Sequence, residues 1–132
     1  MKNLTNDQLA FFLGRIILGI NLFVHGAIRI PKLSGFAEGM AKGFETSPLP
    51  EFLVLPFAYI LPFVELILGF LLLLGHKTRN SLTASGFLIA ILIFGSGIKE
   101  DWTAVSTQMV YAIFIFLLIK NLNHNALALD KK

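Results

Sequence analysis

No cysteine occurs in the 132 residues, which excludes disulfides, thiolate metal ligands, iron–sulfur ligation and a thiol nucleophile. Charge is also scarce: Asp, Glu, Lys and Arg make up 14% of the chain, against about 25% in an ordinary soluble domain. His25, His76 and His124 are far apart and lack paired-ligand spacing, so neither a metal site nor haem ligation is expected. No serine or threonine sits in a strand–turn–helix elbow with a histidine and a carboxylate, and no glycine-rich phosphate loop is present, so nucleophilic catalysis has no support. The net charge is +3 and the pI about 9.4, but the basic residues lie singly at segment ends without interleaved aromatics. That pattern argues against a nucleic-acid partner.

What remains is apolar. Hydrophobic residues make up 55% of the chain and the mean hydropathy is +0.75. Uncharged runs of about 17–25 residues suit helices that cross a bilayer, and four of them use the chain almost completely: residues 9–28, 52–75, 80–98 and 102–119. The expected fold is all-α, an integral-membrane four-helix bundle forming one domain over residues 1–132. The first apolar run continues for about 20 residues without a cleavage site after a short core, so it reads as a span rather than a leader.

Thr5 and Asp7 precede this first run and are candidate caps for its helix. Within the run, Arg15, Leu18, Gly19, Leu22, His25, Gly26 and Arg29 fall in one sector of about 120° at helical spacing. That sector is expected to face the other helices, because glycine allows close approach and polar groups avoid lipid. Pro31 ends the run. Lys32 to Glu45 then carries Leu33, Phe36, Ala37, Met40 and Phe44 at helical spacing, the pattern of a short interfacial helix. Pro48 and Pro50 mark the turn into the second span.

The second span holds a lone carboxylate, Glu65, near its middle, and Pro62 one turn earlier. A charge at that depth costs roughly 2.5–3.5 kcal/mol on insertion scales, so a partner is expected. Counted from presumed helix ends, Arg15 lies about 9 Å deep and Glu65 about 15 Å deep, which makes Arg15 the expected partner. Such a pair serves either a polar ligand pocket or only helix register. Near the opposite face, His25 and Gln108 on the first and fourth spans are placed to share a pocket, where a histidine can exchange protons. The thirteen phenylalanines are expected mostly to face lipid or pack, and Trp102 to anchor the fourth span at the interface. Residues 120–132 read as a polar tail that frays or forms an interfacial turn.

The runs GRIILGINLFVHGAIRIPKL and PFVELILGFLLLLGHKTR resemble the DoxX-like membrane proteins. The matching places are Arg15, Gly26 with Arg29 or Lys32, and Glu65 with Gly75 and Arg79. The spacing Arg29-Ile-Pro-Lys32 departs from the pattern, in which a lysine more often follows the glycine directly. The resemblance implies a small four-helix membrane subunit, related to the membrane subunit of a thiosulfate:quinone oxidoreductase. It would support quinone-linked electron transfer alongside other membrane subunits, with quinone as the cofactor and none intrinsic to the chain. Arg15, His25, Arg29, Glu65 and Gln108 are the candidate ligand or proton-exchange residues. The alternative is a non-catalytic structural or assembly subunit; a small transporter would need oligomerisation to make room for a pathway.

The expected location is a bacterial inner membrane. Lys2, Lys77, Arg79, Lys120, Lys131 and Lys132 lie on the side holding both termini, and Arg29, Lys32, Lys42 and Lys99 on the other. The excess on the first side puts both termini in the cytoplasm.

Overall fold

The computed structural model describes residues 3–130; Lys2, Lys131 and Lys132 of the charge count lie outside them. Among the described residues the order is α1 (Asn6–Arg29), a 3-10 turn (Ile30–Lys32), α2 (Leu33–Gly43), α3 (Glu51–Leu74), α4 (Thr78–Ile98), α5 (Trp102–Lys120) and a second 3-10 turn (Leu122–His124). Four helices are long and apolar enough to cross a membrane; the first runs on without a break from α1 through α2. Their outward faces carry Ile17, Ile60, Ile67, Phe87, Phe94 and Phe116, each more than half exposed, as expected of side chains solvated by lipid tails rather than water. Trp102 is exposed at the start of α5.

Local chemistry sets the helix ends. Thr5 closes a capping box on α1: the Gln8 N–H donates to the Thr5 hydroxyl at 3.1 Å, and the Thr5 N–H to the Gln8 side chain at 3.0 Å. The helix thus starts at Asn6, one turn before the apolar run. Gly75 adopts φ +67° and ends α3, with the His76 N–H bonded to the Leu71 carbonyl at 3.0 Å, a left-handed stop that favours glycine. Asp101 caps α5 by accepting from the Ala104 N–H at 3.1 Å.

The strongest packing is α1 antiparallel to α3, and glycine sets its closeness. Gly19 lies on the Gly69 carbonyl and Leu73, Gly69 on Phe23, and Gly26 on the Pro62 carbonyl and Leu66. The α1 sector expected to face inward does so: Arg15, Leu18, Gly19, Leu22 and Gly26 are buried, and His25 and Arg29 half-buried. Pro56 and Pro62 both lie inside α3, which stays helical through them. The expected interfacial helix is α2, which packs on α3 with Ala37 fully buried.

Of the tail, residues 121–130 are described; they do not fray but fold back as a strap over the helix ends. The Leu129 and Asp130 N–H groups donate to the Leu74 and Gly75 carbonyls at 3.1 and 2.9 Å. The Asp130 carboxylate accepts from the Lys77 N–H at 2.5 Å and the Thr78 N–H at 2.8 Å. Lys77 occupies the cap position of α4 and offers no side-chain acceptor, so the orphan N–H groups there take a carboxylate from 52 residues away. Burial opposes the Asp130 charge, but hydrogen bonds from Thr78 and Lys77 outweigh it, His76 adds to them, and the carboxyl stays below its ordinary value of 3.8.

A depressed folded value means a stabilisation present above the unfolded value and lost as pH falls through the folded one. Asp130→Ala is therefore expected to cost about 0.5–2 kcal/mol at neutral pH, as for other caps. The gap to wild type should close as pH falls below 3.8. Thermal melts in detergent at graded pH check this; a gap that persists in acid would mean the carboxylate charge is not what holds the strap.

Candidate functional site

The antiparallel register decides which polar groups meet. Arg15 rests against Gly75, whereas Glu65 lies ten residues further along α3, about 15 Å away at 1.5 Å per residue. The expected Arg15–Glu65 pair therefore does not form. Counting depth from helix ends assumed that α1 and α3 end level. Instead, the N-terminal part of α1 overhangs the end of α3 and the strap fills the space beside it. The buried Arg15 guanidinium donates to the Asn125 side chain at 2.7 Å and the Leu127 carbonyl at 2.9 Å. Asn125 passes the contact on to the Thr78 hydroxyl at 3.1 Å. Arg15 thus ties α1 to the strap and, through it, to the start of α4.

Glu65 pairs with Arg29 from the last turn of α1, Nη1 to Oε1 at 2.9 Å. The carboxylate side chain is 6% exposed and the guanidinium 29%, so the acid is the enclosed partner. The Arg29 guanidinium also lies 4.4 Å from the centre of the Phe36 ring on α2. One cation thus links α1, α2 and α3, and the glycine contact of Gly26 on Pro62 brings it within reach of the carboxylate.

Next to this pair, α1, α3, α4 and α5 enclose a cavity of about 310 Å³, within the roughly 300–1,000 Å³ range of small-molecule pockets. Leu18, Asn21, Leu22, His25 and Arg29 line it from α1, Leu61 and Glu65 from α3, Leu88, Ile89 and Leu92 from α4, and Ala104, Thr107, Gln108, Tyr111 and Ile115 from α5. His25 and Gln108 share this one space, as their positions on the first and fourth spans suggest. The wall is mostly aliphatic, with polar groups gathered at His25, Glu65 with Arg29, and the α5 face.

Hydrogen bonding orients these groups. His25 Nδ1 is 2.7 Å from the Asn21 carbonyl; a carbonyl only accepts, so Nδ1 carries the proton, and in the neutral ring Nε2 holds the lone pair. Gln108 Nε2 donates to the Ser96 hydroxyl at 3.1 Å, and its Oε1 is buried without a partner among the described residues. A buried acceptor without a donor is costly and calls for one from a ligand or water.

A second, apolar cavity of about 240 Å³ lies between α2, α3 and α4, with Leu92 and Ser96 in its wall. Of the five candidate residues, four (His25, Arg29, Glu65 and Gln108) line the first cavity and Arg15 does not. The residues missed by reading the sequence are Asn21, Thr107 and Tyr111. Asn21 and Tyr111 lie one turn from His25 and Gln108 on the same faces of α1 and α5, where a helical wheel would have found them; Thr107 is exposed beside Gln108. Asn125 and Asp130 were missed as well; the absent cap at Lys77 was the available signal.

The family described as methylamine utilisation protein MauE matches residues 7–99, which include α1 but for its first residue, all of α2 to α4, and three of the four candidate residues that line the cavity. A protein of Bacillus subtilis (strain 168) described as "Putative oxidoreductase CatD" is 34% identical over 120 residues, covering 91% of this chain and 79% of that protein. No solved structure matches.

Proposed function

We propose that this chain, which belongs to the MauE family, is a redox-related accessory subunit of an integral-membrane complex whose cavity binds a quinone ring. The carrying observation is that His25, Gln108 and the Arg29–Glu65 pair converge on one small-molecule-sized space inside the membrane-spanning bundle. The similarity to a protein described as an oxidoreductase and the resemblance of the Gly26, Arg29, Glu65 and Gly75 positions to DoxX-like proteins support the same reading. A bound quinone would supply two-electron, two-proton redox chemistry, which a chain without cysteine cannot supply by itself.

The residues present suit such a ring. Leu18, Leu22, Leu61, Leu88, Ile89 and Leu92 form apolar walls, and the unpartnered Gln108 Oε1 and the lone pair of His25 Nε2 can accept from the hydroxyls the ring carries when reduced. Glu65 is a proton acceptor held in place by Arg29, and His25 is a second one on the same cavity. The excess of basic residues on the side of the termini supports a cytoplasmic location for both of them in a bacterial cell, with the strap on that side and the cavity towards the other, and partner subunits are expected to supply the remaining redox centres.

Glu65→Gln is expected to permit membrane insertion and assembly, at a cost in stability from the unpaired Arg29 charge, and to lower quinone-dependent activity of the complex about 10–100-fold, the worth of one charge-assisted hydrogen bond. Purification in mild detergent followed by lipid extraction should recover quinone with the wild type and less with the variant. If no quinone copurifies and Glu65→Gln instead weakens complex formation, the subunit is structural: the Arg29 link between α1, α2 and α3 is then its whole purpose.

A further inference from the structure

At its His25–Gln108 end the cavity offers more acceptors than donors. There His25 Nδ1 goes to the Asn21 carbonyl, one Gln108 N–H to Ser96 and the Thr107 hydroxyl to the Thr103 carbonyl at 3.3 Å. The lone pair of His25 Nε2, the unpartnered Gln108 Oε1 and the Thr107 oxygen stay available, against the second N–H of Gln108. Elsewhere on the wall, Arg29 gives one N–H to Glu65 and keeps others, the Tyr111 hydroxyl serves in either sense and the Asn21 amide offers one group of each kind.

A site of this polarity discriminates by hydrogen count. An aromatic ring bearing two hydroxyls brings donors to it, whereas the corresponding dicarbonyl brings only lone pairs and leaves buried acceptors facing acceptors. We infer that the cavity binds the reduced, dihydroxy form of its ring ligand in preference to the oxidised form, with Gln108 Oε1 and His25 Nε2 as the discriminating acceptors. This rests on the quinone reading above and adds to it which redox form the resting subunit holds. Ser96 is the positioning residue: its hydroxyl holds the Gln108 amide through Nε2 at 3.1 Å, with Oε1 at the unpaired position.

Duroquinol and duroquinone, which have the same ring and no isoprenoid tail, are suitable probes for anaerobic calorimetry on the purified protein in detergent. The quinol is expected to bind at least about ten-fold tighter, the worth of one satisfied buried acceptor. For a two-electron couple, that raises the midpoint potential of the bound pair by about 30 mV. Ser96→Ala, which frees the amide to rotate, and Gln108→Leu, which removes it, should bring the two affinities towards each other. Equal affinities in the wild type, a preference for duroquinone, or a quinol preference that survives both substitutions overturns the inference and leaves the quinone site standing. If neither probe binds, the quinone reading falls and this inference falls with it.

Discussion

Glu65→Gln combined with Arg29→Gln is expected to show a coupling of about 0.5–3 kcal/mol in a double-mutant cycle, while Glu65→Gln with Arg15→Gln should be additive within about 0.5 kcal/mol. The first pair shares a 2.9 Å charged hydrogen bond in which the carboxylate is almost enclosed. Removing one partner leaves the other charge in an apolar bundle, a larger penalty than the pair's net worth. Arg29→Gln is thus expected to destabilise more than it would at a surface site, with Phe36 losing its cation as well. Arg15 and Glu65 sit about 15 Å apart along α3 and share no partner, so nothing couples them. Unfolding in mixed detergent–SDS micelles measures all five variants. A coupling between positions 15 and 65 equal to that between 29 and 65 would place the helices in a different register.

Gly26→Ala and Gly69→Ala are expected to destabilise by about 1–3 kcal/mol each, the range for overpacked interfaces. A Cβ on Gly26 would overlap the Pro62 carbonyl and lie 2.7 Å from the Leu66 nitrogen. A Cβ on Gly69 would overlap the Phe23 nitrogen and lie 2.7 Å from the Gly19 carbonyl. These neighbours are backbone, which cannot swing aside as a side-chain tip can, so the helices must separate. Without a hydrophobic drive between helices in lipid, close backbone packing is much of what holds α1 on α3. Separation also carries Arg29 away from Glu65, so binding of the proposed quinone should fall with stability. Gly35→Ala and Gly39→Ala serve as controls: no atom lies within 4 Å of a Cβ at either position, and a helical glycine replaced by alanine gains about 0.5–1 kcal/mol. Equal effects at all four positions would refute a packing role for Gly26 and Gly69.

The positions that resemble the DoxX-like pattern divide between two places in the fold. Gly26, Arg29 and Glu65 build the cavity end, where charge, glycine packing and a small-molecule-sized space coincide. Arg15 and Gly75 build the strap end, where the guanidinium lies against the glycine that stops α3. Arg79 is exposed on α4, and nothing in the structure explains its place in the pattern.

By itself the sequence determined the four spans, the Thr5 cap, the short helix after Pro31 and the inward face of α1. Each depends on neighbours within a few residues: apolar length matched to a bilayer, a hydroxyl three residues before its amide, small and polar groups recurring at helical spacing. His25 and Gln108 were legible for the same reason, since each marks the polar side of its own helix near one face of the membrane.

Only the tertiary structure decided the partner of Glu65, the use of Arg15 and the course of the tail. Which arginine meets the carboxylate depends on how far α1 slides along α3, and that offset is fixed by glycine contacts between residues about 40–50 positions apart. Helix ends counted along the chain carry no information about it. The orphan N–H groups of α4 likewise find Asp130 because the tail returns to them, satisfying donors that the local sequence leaves open.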